Sequence, residues 1–391
     1  MLIGFEASSL QGCKSGVGYY TENLLTSVMN CAPEHKYVLF TNRDVRGQWR
    51  QLAKETVYDR RFFPVRAAWM QGVLPFALRD VKPDLCHFTN YLAPLSCDCP
   101  NIVTIHDMTV FITPRFHRFK TLVLDRTLIP KVARRADAII TVSNSARYDI
   151  LRYLKVPKEK VRVILSGASP LFQPVTDPER LEAVKAQYGL HQPFILYVGT
   201  IEPRKNLTRL IQAFGKLKQQ RLPHKLVIVG QRGWHCAPIF AEVERLGLAN
   251  DILFTGYVPS EDLPALYSLA ESMAFPSLYE GFGLPVIEAM ACGAPVVTSR
   301  SSSLMEVAGD VALLVDPLSV EELADALYRL HREPELREEL SRQGILRASH
   351  FTWENTARAT LDLYEHVTSA RAGVPVPKPF PHVRTVETAK D

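Results

Sequence analysis

The chain has 391 residues, 47% of them hydrophobic and 22% charged, with 46 Lys plus Arg against 41 Asp plus Glu. This is the composition of a globular chain, not of a disordered, collagenous or membrane-spanning one. A formal net charge of +5 is too mild for a nucleic-acid partner. Single cores stop growing near about 250–300 residues, so the length favours two domains. Seven cysteines, Cys13, Cys31, Cys86, Cys97, Cys99, Cys236 and Cys292, are scattered and lack paired CxxC spacing, so they read as reduced thiols. The opening Leu2-Ile3-Gly4-Phe5-Glu6 is too short an apolar run for a signal peptide, and no stretch approaches the ~18 apolar residues of a membrane span. The expectation is a cytoplasmic chain.

Short apolar, β-rich runs alternate with amphipathic segments, the pattern of parallel strands joined by helical crossovers in an α/β fold. Strands are predicted at Leu2–Ala7, Tyr37–Thr41, Leu85–Phe88, Ile102–His106, Ala138–Val142 and Val161–Leu165, with helices at Val17–Met29, Leu122–Arg135 and Ser145–Tyr153. The rhythm pauses around Ser166-Gly167-Ala168-Ser169-Pro170 and resumes after Pro174, Asp177 and Pro178, as at a linker. Second-half strands are predicted at Phe194–Val198, Leu226–Val229, Ile252–Thr255, Ser272–Phe275, Pro295–Thr298 and Ala312–Val315. Helices are expected at Leu207–Lys218, Pro238–Leu246, Asp262–Leu269, Pro285–Ala291 and Ser319–Leu330. Leu361, Leu363, Tyr364 and Val367 fall at helical spacing in a final helix within 352–371. From Gly373 the chain is rich in proline, small and charged residues, a composition that cannot fill a core. The division is thus 1–170 plus the final helix, 171–351, and a mobile tail from 372 to 391.

Four loops carry candidate chemistry. Between two predicted strands lies Glu280-Gly281-Phe282-Gly283-Leu284-Pro285-Val286-Ile287-Glu288. Its glycines let backbone approach a ligand, and Pro285 at a helix start aims free N–H groups and the positive dipole end at the loop. Glu280 and Glu288 can accept hydrogen bonds from hydroxyls on two parts of one ligand. Arg204 and Lys205, in Glu202-Pro203-Arg204-Lys205-Asn206-Leu207, follow a strand and open a helix, a position suited to gripping a diphosphate and neutralising it as it leaves. In isolation such a pair would be a solvated surface feature.

The loop around Gly16 and Gly18 supplies only G-x-G, short of a Rossmann fingerprint, and Walker A is absent. His106-Asp107, at the carboxyl edge of a strand, either contacts substrate or serves a turn. No Asp-x-Asp is present to chelate a metal against a diphosphate, so metal-independent chemistry without a cofactor is the expectation. Between Arg115 and Arg135 stand seven basic residues (Arg115, Arg118, Lys120, Arg126, Lys131, Arg134, Arg135) against Asp125 alone, with Phe111, Phe116 and Phe119 nearby. This patch is either a docking face for an anionic membrane or the wet side of a helix.

Two glutamates around a Gly-Phe-Gly-Leu-Pro core resemble the signature of retaining glycosyltransferase family 4, which has a GT-B fold. Gly16-Val17-Gly18-Tyr19-Tyr20, Thr104-Ile105-His106-Asp107, Val142-Ser143-Asn144-Ser145, Glu202 to Leu207 and Thr255-Gly256-Tyr257-Val258 resemble family segments in the same order, over residues 1 to about 370. In detail the chain looks most like bacterial mannosyltransferases of O-antigen and exopolysaccharide assembly. The resemblance implies two Rossmann-like domains facing a central cleft, with the final helix crossing back to the first. It implies that Arg204 and Lys205 hold the donor diphosphate, that Glu280 with Phe282, Gly283 and Leu284 holds the donor sugar, and that Glu288 binds the ribose. Val258 would sit beside the base, Gly16 and Gly18 near the phosphates, and His106 near the sugar. The implied partners are a nucleotide-diphosphate sugar, probed first as GDP-mannose with UDP-glucose as alternative, and a glycan or lipid-linked acceptor. A sugar-nucleotide 2-epimerase and a non-catalytic sugar-nucleotide binder are the rival readings.

Overall fold

The computed structural model describes residues 1–11, 16–42, 49, 66–117 and 119–373. Cys13, Arg118 and the proline-rich tail from residue 374, named above, lie outside the described residues, as does the side chain of Lys120. The chain divides into two units, Met1–Gly167 with the chain from Trp353, and Ala168–Thr352.

The first unit holds β1 (Leu2–Glu6), β2 (Lys36–Phe40), β3 (Leu85–Phe88), β4 (Asn101–Thr104), β5 (Ala138–Thr141) and β6 (Val161–Val163). They form one parallel sheet ordered β2-β1-β3-β4-β5-β6. β3, β4 and β5 are buried along their whole length, as parallel strands covered on both faces must be, and so their sequences read as near-continuous apolar runs. The second unit holds β7 (Phe194–Val198), β8 (Lys225–Val229), β9 (Ile252–Gly256), β10 (Ser272–Phe275), β11 (Val296–Ser299) and β12 (Leu313–Val315). Its parallel order is β12-β11-β10-β7-β8-β9. Each sheet therefore has a switch point, β1 beside β3 and β7 beside β10, where consecutive crossovers leave in opposite directions and open a crevice at the carboxyl edge.

Every predicted strand is present, but β4 ends at Thr104, so His106 stands in the loop beyond the strand rather than at its last position. The predicted helices are present with ends shifted by up to three residues; Leu122–Arg135, for example, is Phe119–Arg135. Helices Arg66–Gly72, Leu74–Val81, Thr109–Ile112, Ser303–Ala308 and Pro334–Ala348 were not expected. Pro75 and Pro334 look like breakers but occupy the first turn of their helices, where a missing N–H costs nothing.

The final helix, Trp353–Arg371, packs on helix Gly16–Cys31 within the first unit. Trp353 meets Tyr20 edge-on at 5.7 Å. Thr356 Oγ1 donates to the Leu165 carbonyl at 2.7 Å. The Tyr364 hydroxyl lies 2.6 Å from Nδ1 of His87, whose Nε2 is 2.8 Å from Thr104 Oγ1. His87 is fully buried, and burial, with His106 adding to it, lowers its pKa to about 3.

Candidate functional site

The second unit's switch point gathers the residues singled out in its sequence. After β7 the chain passes Gly199 and makes a single 3-10 turn, Pro203–Lys205. Asn206 then adopts a left-handed conformation, φ 62°, from which its Nδ2 donates to the carbonyls of Pro276 (2.9 Å) and Pro317 (2.7 Å). Asparagine tolerates this backbone better than other side chains. The result ties the loop after β7 to the loop after β10. Leu278 N donates to the Arg204 carbonyl at 2.9 Å, and Arg204 Nη1 donates to the Tyr279 carbonyl at 2.8 Å.

The charges interlock across those two loops. Arg204 bonds Glu280 Oε2 through Nη1 at 2.8 Å and Glu202 Oε1 through Nη2 at 2.7 Å. Lys205 Nζ donates to Glu280 Oε1 at 2.7 Å and stands 5.1 Å from the centre of the Phe275 ring. Burial pushes the Glu280 carboxyl up, but Arg204 and Lys205 outweigh it and hold its pKa down to about 2. Burial pulls the Lys205 ammonium down, with Glu280 opposing. Both oxygens of Glu280 thus face the two cations and hold Arg204 and Lys205 in place.

The Glu280 loop leads directly into helix Leu284–Ala291. Gly283 has φ +118°, and a Cβ there would come within 2.8 Å of Leu304 Cδ2, so the turn into the helix requires glycine. The loop is braced by two serines that sequence reasoning did not single out. Ser302 Oγ accepts from Glu280 N at 3.0 Å, and Ser303 Oγ lies 2.9 and 2.7 Å from the carbonyls of Glu280 and Phe282. Phe282 and Val258 are buried, the latter in the loop after β9. Glu288, one turn into the helix, accepts from the Tyr267 hydroxyl at 3.2 Å. Burial pushes its pKa up to about 7, with that hydrogen bond pulling the other way.

His106, Gly16 and Gly18 belong to the first unit. Helix Gly16–Cys31 begins at Gly16, and Gly18 is buried in its first turn. Gly16, one residue ahead of the predicted helix Val17–Met29, is corrected to its first residue, and Gly18 lies in the first turn, where backbone N–H groups lack intrahelical partners. His106 Nε2 donates to the Thr89 carbonyl at 2.9 Å, and its ring meets Tyr20 edge-on at 4.6 Å. Burial lowers its pKa, with the Thr89 contact opposing. Asp107 accepts from both the backbone N–H and the hydroxyl of Thr109 (2.9 and 2.6 Å), bracing the turn into the short helix that follows.

The basic segment Arg115–Arg135 is less free than its sequence implies. Arg126 Nε donates to the Val110 carbonyl and Arg135 Nη1 to the Leu95 carbonyl. Its exposed apolar residues are Phe119 (77% exposed), Val123 and Leu124. Among the described residues, no helix is long and apolar enough to cross a membrane.

Comparison with known proteins gives the family and the fold. Residues 15–170 match the model described as Glycosyltransferase Family 4, and residues 182–347 match Glycosyl transferases group 1. The O-antigen chain mannosyltransferase B of Escherichia coli is 34% identical over 308 residues, 78% of each chain. The chain belongs to glycosyltransferase family 4. The fold of this family 4 chain is that of a sucrose-phosphate synthase from Thermosynechococcus elongatus, at TM-score 0.76 and 23% identity, covering 94% of this chain and 99% of the other. It also matches Anabaena HepE, solved with UDP and glucose, at TM-score 0.75 and 19% identity, covering 93% and 98%. The two six-stranded parallel sheets with flanking helices are the GT-B arrangement of such glycosyltransferases.

Proposed function

We propose that this glycosyltransferase moves mannose from GDP-mannose to a hydroxyl of a glycan or lipid-linked acceptor in surface polysaccharide synthesis, with retention at the anomeric carbon and without a metal in the reaction. The observation that carries the reading is the placement of Arg204 and Lys205, aligned by Glu280 and Asn206, at the switch point of the second sheet. There the two cations can bind a diphosphate and stabilise it as it departs, beside the positive end of helix Leu284–Ala291. Glu280 orients the cations and meets the donor sugar through its loop, with the backbone of Phe282, Gly283 and Leu284. Glu288 accepts from the ribose hydroxyls, and Val258 packs at the base. The acceptor hydroxyl attacks on the face from which the nucleotide leaves, so no protein nucleophile is required, and positioning and charge stabilisation supply the acceleration.

Mannose is favoured by the name of the Escherichia coli relative; a UDP-sugar donor is the second reading, favoured by the UDP and glucose bound to HepE. Thermal shift against GDP, UDP, ADP and their mannose and glucose conjugates tests both, since a ligand at a hundred times its Kd stabilises by about 2.7 kcal/mol. A shift with GDP-mannose alone supports the proposal, a uridine preference replaces the donor, and silence from all nucleotides overturns both. Donor incubated without acceptor stays unepimerised if the protein is a transferase. Turnover with an acceptor rules out a passive binder, and transfer undiminished by EDTA supports metal-free chemistry.

We also propose a cytoplasmic protein that touches anionic membrane through Phe119, Val123 and Leu124 with their neighbouring cations. Phe119→Glu with Val123→Glu is expected to abolish sedimentation with phosphatidylglycerol vesicles; unchanged sedimentation sinks this contact.

A further inference from the structure

At the opposite edge of the second sheet, away from Arg204 and Glu280, three side chains converge that the transfer reaction does not use. His224 lies one residue before β8, Glu271 one residue before β10, and His331 in the last turn of helix Val320–Arg332. His224 Nε2 is 2.8 Å and His331 Nδ1 3.2 Å from the same oxygen, Glu271 Oε1. One ligand atom from each of the three lies within 4.8 Å of the others, and the two rings meet edge-on at 4.9 Å.

His224 is 1% exposed, and among the described residues neither of its ring nitrogens has a well-aligned hydrogen-bond partner, Nε2 having only Glu271 Oε1 within reach at 2.8 Å. A buried imidazole has one donor and one acceptor to satisfy, and leaving both unmet is costly. The close approach to Glu271 lacks the alignment of a good hydrogen bond. Arg337, the nearest cation, sits 3.9 Å from Glu271 Oε1, but its Nη1 is held by the carbonyls of Leu330 and His331 at the end of the helix. The carboxylate oxygen therefore faces the two imidazoles.

Bonds of about 2.0–2.1 Å to a tetrahedral ion place its ligand atoms roughly 3.3 Å apart. The 2.8 and 3.2 Å separations lie close to that spacing, and all three ligand atoms are within 4.8 Å of one another. Two imidazoles and one carboxylate suit a borderline ion of the zinc class, and the oxygen-rich shells that calcium and magnesium need are not offered by this donor set.

We propose that His224, Glu271 and His331 form a site for one divalent ion of the zinc class, with water as fourth ligand. The ion fastens the end of helix Val320–Arg332 to the amino-terminal edge of the second sheet. Its role is structural, since its ligands lie at the strand edge opposite the candidate donor site, so the proposal stands independently of the donor reading.

The test uses the full chain, stripped with EDTA, dialysed, and titrated with ZnCl2 by calorimetry and with CoCl2 by visible absorption. One zinc per chain, a four-coordinate cobalt spectrum free of thiolate charge-transfer bands, and a Tm about 5 °C higher at a hundredfold excess over Kd are expected. His331→Ala, at a partly exposed position, is expected to weaken zinc at least about 100-fold and to abolish the Tm gain. Glu271→Gln provides a second variant with nearly the same shape and the same expected loss. Absence of a bound ion in the wild-type chain, full binding by both variants, or thiolate bands in the cobalt spectrum would overturn the site. None of these readouts depends on glycosyl transfer.

Discussion

Glu280 and Glu288 stand on one loop and the helix it enters, yet their surroundings drive them apart: two cations hold Glu280 near 2, and burial lifts Glu288 to about 7. For Glu288 the folded pKa exceeds the ordinary 4.5, so its charging opposes folding above pH 7 and costs nothing below about 4.5. Glu288→Gln is therefore expected to raise Tm at pH 8 by a few degrees and leave it nearly unchanged at pH 4.5. The same variant should weaken the nucleotide about 10-fold if the carboxylate receives ribose hydroxyls; unaltered nucleotide affinity removes that role. Lys205→Ala is expected to cut transfer by about 100-fold or more, the size of effect seen when a preorganised charge stabiliser is removed, while a nucleotide still shifts Tm. Near wild-type turnover would end the leaving-group role. At this scale the sequence announced the residues but not their partnership. Arg204, Lys205 and Glu280 were legible as types at the right places after strands. That both oxygens of Glu280 would be taken by the two cations depends on loops some 75 residues apart meeting, which no local pattern encodes.

Elements were read correctly where apolar periodicity was strong, and missed where it was weak or masked by proline. Helix Pro334–Ala348 is rich in charge and buries only Leu340, Gly344 and Ala348, too narrow a stripe to signal itself. Gly344 matters because its bare backbone lets this helix approach Met290, whose Cγ would be 3.4 Å from an added Cβ. Ser302 and Ser303 were invisible for a different reason: a serine run after a strand reads as an ordinary turn, and its value lies in the carbonyls it reaches. A tight constraint on an element join is at Gly230, after β8. It has φ +147°, and a Cβ there would collide with the Gly199 carbonyl oxygen. That close approach packs the chain leaving β8 against the loop leading to Arg204. Gly230→Ala is expected to destabilise the chain by roughly 3–5 kcal/mol, read by chemical denaturation. A loss below about 1 kcal/mol would mean that the two backbones separate freely and that the loop is not braced there.

Across the whole chain, each unit carries its own sheet and its own strongly shifted buried group, His87 in the first and Glu288 in the second, and these two respond to acid with opposite sign. In the first unit His87 is buried as the neutral imidazole, with its pKa lowered to about 3. The unfolded chain takes up that proton near pH 6.5 and the folded chain does not, so stability falls as pH drops from 7 towards 3. Between pH 7 and pH 5 the cost is about 2 kcal/mol. His106, also lowered by burial, adds in the same direction. In the second unit Glu288 binds its proton more tightly folded than unfolded, so the same step from pH 7 to pH 5 adds stability, on the order of 1–2 kcal/mol. Glu280, held near 2, opposes this only once pH falls below about 4.5. Calorimetry is thus expected to show two transitions that move apart between pH 7 and pH 5, the first unit's falling and the second unit's rising. Tyr364 of the final helix touches His87 directly, so detachment of that helix should accompany the falling transition. The divergence should shrink by about half in His87→Gln, which keeps hydrogen-bonding capacity towards Thr104 and Tyr364 without a group that titrates. Two transitions that shift together with pH, or a divergence untouched by His87→Gln, would show that these buried groups do not govern the acid response.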